Sequence, residues 1–509
     1  MKAVFSFLAF FVLLCGAVLL ILGLKAYRLD SPPLLFIAML GVGFVLALIG
    51  KRWGRGALLL AAPLAILLAY IGAQRLLPPA PATPAFAQVY CLNPEKAKLQ
   101  RQHGNLRPRA HTHTQTLTLV CPDDTELVPR FVLLAGIELQ PVACGLKGVS
   151  GLVFGADKAL YASIPDADLI YRLEPPETTT ADSRSHAMGA PRQWRKTILT
   201  AALDSPMGLA WHGDSLYVAT RTAVVKLTPG TTTAAAAIQT AAVQTVVDHL
   251  PSATPTERRA ILVDDTGCVY LSVGAVDSDP LDLEWQRGAI LEIAPHGESR
   301  LFATGIHHAR TMAWHPQTGA LWLGEDSPQT LDFSPPKDEI NAVCAGEDFG
   351  WPFCYGFKTP DLQLGTTTMC ADTTAPLLTL PPHSVPAGLA FGAQLDAPEQ
   401  YRSMVYVALA GDKNDIHRQG FRILGLPLDT EGDITGWGIE VALGWATPQE
   451  VQDHQEHQEH IYGQPATLAV GPDGNLYLAD SHAGVVYRFV FDSESKSDSG
   501  SAYIPPQSE

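Results

Sequence analysis

The chain has 509 residues, of which 47% are hydrophobic and 17% charged, and its formal net charge is −16. That length exceeds one ordinary domain of roughly 100–200 residues but suits a closed or repeating all-β fold. Residues 1–80 carry seven Lys/Arg against Asp30, a net +6, which leaves −16 − 6 = −22 for the remainder; so acidic a body repels phosphate backbones and argues against a nucleic-acid partner.

Three apolar runs open the chain, at about 4–24, 34–49 and 57–71. The first has no charge and is long enough for a hydrocarbon core of ~30 Å, and helices satisfy their own backbone in lipid. Residues 1–75 therefore read as a membrane anchor of three transmembrane helices. Lys51, Arg52 and Arg55 in the second loop put that loop and the N-terminus inside, so everything after residue 75 is expected on the outer, periplasmic side. A small-residue cleavage pattern, Ala85-Phe86-Ala87, is the competing signal. Residues 76–129 are a stiff Pro/Ala linker and an irregular prelude, with Pro78, Pro79, Pro81 and Pro84 at its start.

Seven cysteines follow the apolar runs. Disulfides persist in an exported body, and an odd count leaves at least one free thiol. Cys354–Cys370 or Cys344–Cys370 is the expected staple of the GWPFCYG segment. There is no CxxCH, the signature of covalently attached c-type haem.

From residue 130 the chain repeats itself. GLVFGADKALYAS (151–163), GLAWHGDSLYVAT (208–220), AILVDDTGCVYLS (260–272), TMAWHPQTGALWLG (311–324), the longer stretch from Gly388 and TLAVGPDGNLYLAD (467–480) share one plan. Each has a short apolar run, a Gly/Asp/Pro turn and a second run centred on an aromatic, which is a β-hairpin written six times. Spacings of 51 to 79 residues between starts suit four-stranded blades with long loops, and six such blades close a ring without a long exposed edge. The predicted fold is thus an all-β six-bladed propeller over 130–492, with RFVLLAG (130–136) as the strand that fastens the circle. A polar tail, 493–509, has the composition of a disordered segment.

The segment DEINAVCAGEDFGWPFCYG (338–356) concentrates acidic and amide side chains, two cysteines, turn glycines and alternating aromatics. It could be a buried aromatic corner closed by turns, or a site for a cation held by hard oxygens. Two histidine clusters also stand out. His111 and His113 alternate as on a solvated strand; His454, His457 and His460 form a polar insertion with metal-ligand spacing.

The order of LVDDTGCVYLSVG, GAILEIAPHG, ATGIHHARTMAWHP, the DEIN…FGWPFCYG corner and QPATLAVGPDGNLYLAD resembles the sorbosone and aldose dehydrogenases related to soluble quinoprotein glucose dehydrogenase. The resemblance covers about seven tenths of the chain. It implies oxidation of a sugar hydroxyl or hydrated aldehyde by pyrroloquinoline quinone (PQQ), with Ca²⁺ polarising the quinone. It does not name the electron acceptor.

Carried over position by position, the resemblance places the family's catalytic histidine at Pro255 or Thr256, so the proton acceptor it leaves available is Glu257. The family's Arg-Asn pair reads His307-His308, followed by Arg310. Lys413 and Asn414 fall at polar ligand positions, and Gln464 replaces an arginine. Those five, His307, His308, Lys413, Asn414 and Gln464, are the expected cofactor contacts, with Asp338 and Glu339 as the expected calcium ligands. The missing histidine and arginines motivate an alternative, a propeller that binds ligands or partners without catalysis. On either reading one mouth of the channel should gather the site residues.

Overall fold

The computed structural model describes residues 112–116, 130–176, 194–201, 203–229, 242–282, 284–328, 335–414, 419–436, 438–446 and 461–492. The expected transmembrane helices, most of the linker, the 454–460 histidines and the tail lie outside these residues. Among the described residues no helix is long and apolar enough to cross a membrane.

Six antiparallel sheets of four propeller strands follow one another along the chain. Their first strands are Gly151–Phe154, Leu209–His212, Ile261–Val263, His308–Trp314, Pro386–Phe391 and Pro465–Val470, which we number blades one to six. All six repeats coincide with these strands. The expected fastening strand needs one correction. Ile137–Ala143 pairs with Val485–Phe491 and completes blade six, whereas Arg130–Leu134 adds to the outer edge of blade five beside Ile439–Leu443. Two strands separated by a Gly136 turn thus serve adjacent blades, and the RFVLL pattern alone could not say which.

The aromatic in each repeat explains the packing between blades. Tyr161, Tyr217, Tyr270, Trp322, Tyr406 and Tyr477 are all buried, and four of them meet an aromatic at the end of the next blade's first strand. Tyr161 lies 5.1 Å from Trp211, Tyr270 5.0 Å from Trp314, Trp322 5.4 Å from Phe391, and Tyr477 4.9 Å from Phe154, measured between ring centroids. Tilted and edge contacts at these separations are favourable beyond the area they bury. The last pair joins blade six to blade one, so the same interaction that stacks the blades also closes the ring. Nearer the channel the chains approach so closely that side chains are excluded: a Cβ on Gly151 would lie 2.4 Å from the Met207 carbonyl, and one on Gly208 2.3 Å from that of Arg259.

The GWPFCYG corner hangs from blade four. Cys354 and Cys370 form a disulfide, and Cys144 and Cys344 are disulfide-bonded as well, which selects Cys354–Cys370 from the two expected pairings. Cys268 is free. Gly350 has φ +104°, and a Cβ there would sit 2.7 Å from that of Cys354, so the corner requires glycine at this position.

Candidate functional site

A cavity of about 640 Å³ is lined from five of the six blades: Lys147 and Asp166 come from around blade one, Arg258 precedes blade three, Arg310 lies in blade four, Asp412, Lys413 and Asn414 follow the second strand of blade five, and Gln464 and His482 belong to blade six. Residues more than 300 positions apart in sequence therefore share one chamber, as loops around a propeller mouth do.

One local device aims several of these residues. In blades four, five and six the first strand slips register, between Ala309 and Thr311, between Pro386 and Gly388, and between Pro465 and Thr467. A bulge re-aims the extra side chain, and the three inserted residues, Arg310, Ala387 and Ala466, all line the cavity. Only in blade four is that residue long and charged.

Arg258 and Arg310 set the electrostatics. Arg258 donates to the carbonyls of Pro255 (3.2 Å) and Glu257 (2.9 Å). Burial and the facing Arg310 charge both lower its pKa, so two guanidinium groups that cannot shed their protons at neutral pH repel each other across one chamber. Arg310 donates to Asp326 at 2.6 Å. Lys413 donates to His482 Nδ1 at 3.0 Å. Burial, then the Lys413 and Lys147 charges, push the His482 pKa down, leaving a neutral imidazole in the cavity wall.

Glu257 does not line this cavity. It is 2% exposed, bonds Arg259 Nε at 2.9 Å through Oε1, and accepts the backbone N–H groups of Gly274 (3.1 Å) and Thr254 (3.2 Å). Arg259 is itself sealed in and also donates to the Pro251 carbonyl. This is a structural ion pair that orders the approach to blade three. A base must face the reacting hydroxyl, and Glu257 is sealed away from the cavity with three protein donors on its oxygens, so it is corrected from proton acceptor to structural carboxylate.

His307 and His308 are likewise walls rather than cavity contacts. They are 2% and 5% exposed and stack at 4.1 Å. His308 is held neutral, its pKa pushed down to about 3 chiefly by burial. Of this stretch it is Arg310 that lines the cavity, because the bulge turns it into the chamber. Glu257 and His308 are nonetheless neighbours: a Cβ on Gly274 would lie 2.5 Å from the His308 ring and 3.2 Å from Glu257. Lys413, Asn414 and Gln464 do line the cavity, with Gln464 anchored on the Gly411 carbonyl at 2.9 Å.

The acidic corner lies behind Arg310. Glu325, Asp326, Asp338 and Glu339 are all buried. Asp338 is spent on the backbone, its two oxygens accepting from Ser327 (3.0 Å) and Val385 (2.7 Å), so it ties blade four to blade five and is corrected from ligand to structural carboxylate. Glu339 and Glu325 each keep one oxygen on the backbone too, accepting from the Gly356 and His307 N–H groups at 2.6 Å, but their second oxygens meet. Glu339 stands directly opposite Glu325 across the sheet, and these second oxygens share the Asn341 amide at 3.2 and 2.9 Å. Burial raises the Glu339 pKa to about 7, and burial together with the Glu339 charge raises that of Glu325 well above the usual carboxylate range. Asn341 Oδ1 has no partner. The facing carboxylates would suit a calcium ion once the Asn341 amide turns its orphaned Oδ1, rather than Nδ2, toward them.

Sequence reasoning missed Arg258, Lys147, Asp166, Asp412 and His482. Arg258 was visible as the first basic residue of the 257–259 run, and Arg310 as the long side chain where blades five and six carry alanine.

The fold and site thus define a six-bladed propeller with a cation-lined chamber backed by buried acids. The Glucose / Sorbosone dehydrogenase family profile matches residues 218–488, and the chain belongs to that family. It is 24% identical over 178 residues to the aldose sugar dehydrogenase YliI of Escherichia coli (strain K12), 31% of this chain and 45% of that protein. It is 21% identical over 197 residues to an uncharacterized protein of Borreliella burgdorferi, 38% of this chain and 50% of that protein. The matched stretches thus span about half the length of these relatives.

Among solved structures it is similar to the calcium structure of a Trichoderma reesei Carbohydrate-Active Enzymes Family AA12 protein. The TM-score there is 0.57 at 17% identity, over 71% of this chain and 97% of that one. It is also similar to the holo form of the Pyranose Dehydrogenase PQQ domain of Coprinopsis cinerea (TM-score 0.55, 15% identity, 72% and 99%). At such identities these structures speak to the fold.

Proposed function

We propose that the chain is a quinoprotein dehydrogenase that oxidises a small sugar or related aldehyde, with PQQ held in the 640 Å³ cavity. The observation that carries this reading is the convergence of Arg258, Arg310, Lys147 and Lys413 on one chamber that only Asp166 and Asp412 line with negative charge among the described residues. A planar polycarboxylate relieves the repulsion among these cations with charge-assisted hydrogen bonds, and PQQ is such a molecule. The fold relation to a PQQ domain and the aldose sugar dehydrogenase relative support the same assignment.

When bound, the quinone supplies the two-electron acceptor. Arg258 and Arg310 would hold its carboxylates, Lys413, Asn414 and Gln464 would orient it, and the alanines at the bulges of blades five and six would leave it room. Among the described residues His482 is the histidine that lines the cavity. Being neutral, it takes the substrate hydroxyl proton at Nδ1 once Lys413 turns from it toward the anion. Calcium, where present, would be held by Glu325, Glu339 and Asn341. On the sequence pattern we further propose that the 1–75 anchor leaves the propeller outside the cell membrane, which the disulfides favour; cysteine labelling of a surface variant in intact cells tests this, and labelling only after lysis would contradict it.

The specific observation favouring the non-catalytic alternative is the locked Glu257 together with Pro255 and Thr256 at the family's base position. Dye reduction by the purified full chain, with PQQ, Ca²⁺ and a panel of aldoses and aldehydes, separates the two. Turnover lost on His482→Gln with quinone binding retained supports the dehydrogenase; quinone binding with no turnover on any substrate supports the binding module.

A further inference from the structure

A second site lies outside the cavity, where the loop after the second strand of blade three meets the start of blade four. Asp277, His307 and His308 each offer a ligand atom, all within 4.8 Å of one another. His307 Nδ1 faces the Asp326 carbonyl at 2.6 Å, and His307 Nε2 faces Asp277 Oδ1 at 2.6 Å. Both partners are acceptors, but a neutral imidazole carries only one proton. Satisfying both acceptors at once takes either a doubly protonated ring or a cation shared between Nε2 and Asp277.

We infer that this cluster is a binding site for a divalent transition ion of the zinc class, held by His307, His308 and Asp277. Two imidazoles and a carboxylate suit zinc and its neighbours rather than calcium. Each ring also has one nitrogen on a backbone carbonyl, His307 on Asp326 and His308 on Ala275 at 3.0 Å, which is how ligating histidines are oriented and their tautomers fixed. One nitrogen of each ring remains for the ion. Bonds of about 2.0–2.1 Å to zinc put its ligands about 3.3 Å apart, so Asp277 must retreat by about 0.7 Å. Its side chain is 54% exposed and on a loop, so it can. Trp351 covers the His307 ring at 4.5 Å and shields that side of the site. The ion would clip blade three to blade four two residues before Arg310, independently of whether the cavity holds a quinone.

The test is zinc titration of the chelator-treated full chain by calorimetry, with His454, His457 and His460 replaced by Gln so that this histidine-rich stretch contributes nothing. One equivalent should bind, the melting temperature should rise with zinc, and Asp277→Asn should weaken binding at least tenfold. Loading with Co²⁺ should give a visible spectrum that Asp277→Asn alters. Should His307→Gln fail to fold, the exposed Asp277 variant still decides the matter. Absence of saturable binding, or equal affinity in wild type and Asp277→Asn, overturns the site and leaves an imidazolium paired with a carboxylate.

Discussion

The cavity and the acidic corner of blade four meet at the Arg310–Asp326 ion pair and face opposite electrostatic problems. In the cavity, the four cations Lys147, Arg258, Arg310 and Lys413 converge with the two lining carboxylates Asp166 and Asp412, and water or a ligand can reach them. In the corner, four buried carboxylates converge on one another, and backbone N–H groups and the Asn341 amide are their main compensation. Repelling cations at an open mouth await an anion, whereas buried acids can respond by taking up protons. The first arrangement therefore reads as recognition and the second as a switchable part of the framework, with one bulged residue at the boundary.

The sharpest way to break the division is to treat Glu257 as either kind of group. As a framework ion pair, Arg259→Ala should cost about 3–5 kcal/mol by leaving a buried charge unpaired, read by chemical denaturation. Glu257→Gln should lower stability in parallel. If Glu257→Gln instead abolished turnover with stability intact, the residue would belong to the site after all.

Next in size is the corner's staple. The Cys354–Cys370 bridge spans 16 residues, and its replacement by two alanines should cost about 3 kcal/mol on the loop-entropy account. The aromatic contacts between blades lie elsewhere, so near-UV circular dichroism of the variant should keep most of the native signal; its complete loss would mean that the corner organises the ring rather than hanging from it.

The cavity comes third. Arg258→Ala and Arg310→Ala should each weaken quinone binding roughly 10- to 100-fold, the effect of losing a hydrogen bond to a charged group of about 1.5–3 kcal/mol. Weak salt dependence of that binding would argue against a cationic chamber.

The smallest effect sharpens the other half of the comparison. Glu339 has a folded pKa of about 7 against an ordinary value of 4.5. A carboxyl raised in the folded state stabilises fully below about pH 4.5 and loses that contribution as pH rises through about 7. Wild type should therefore lose roughly 1–3 kcal/mol relative to Glu339→Gln between pH 5 and pH 8, and Ca²⁺ should reduce the loss in wild type alone. Parallel pH profiles would show that Glu339 is ionised throughout.

The sequence made the propeller legible because each blade repeats one physical solution: an aromatic such as Tyr161 or Tyr477, placed at the same point of each hairpin, meets the end of the next blade's first strand. The site was less legible. Lys413, Asn414 and Gln464 could be placed because they follow blade landmarks. Arg310 and the histidines before it could not be told apart, since a one-residue bulge decides which of them turns toward the channel, and no periodicity announces a bulge. Glu257 misled for a related reason: adjacent Glu257, Arg258 and Arg259 look alike in sequence, yet two pair with each other inside the protein and only Arg258 reaches the cavity.

The most direct test of the central claim is calorimetric titration of the full chain with PQQ, in wild type and in the Arg258→Ala/Arg310→Ala double variant, at two ionic strengths. The cationic chamber predicts saturation at one equivalent, weaker binding at high salt and near-complete loss in the double variant. No saturable binding in wild type, or undiminished binding without both arginines, would contradict it.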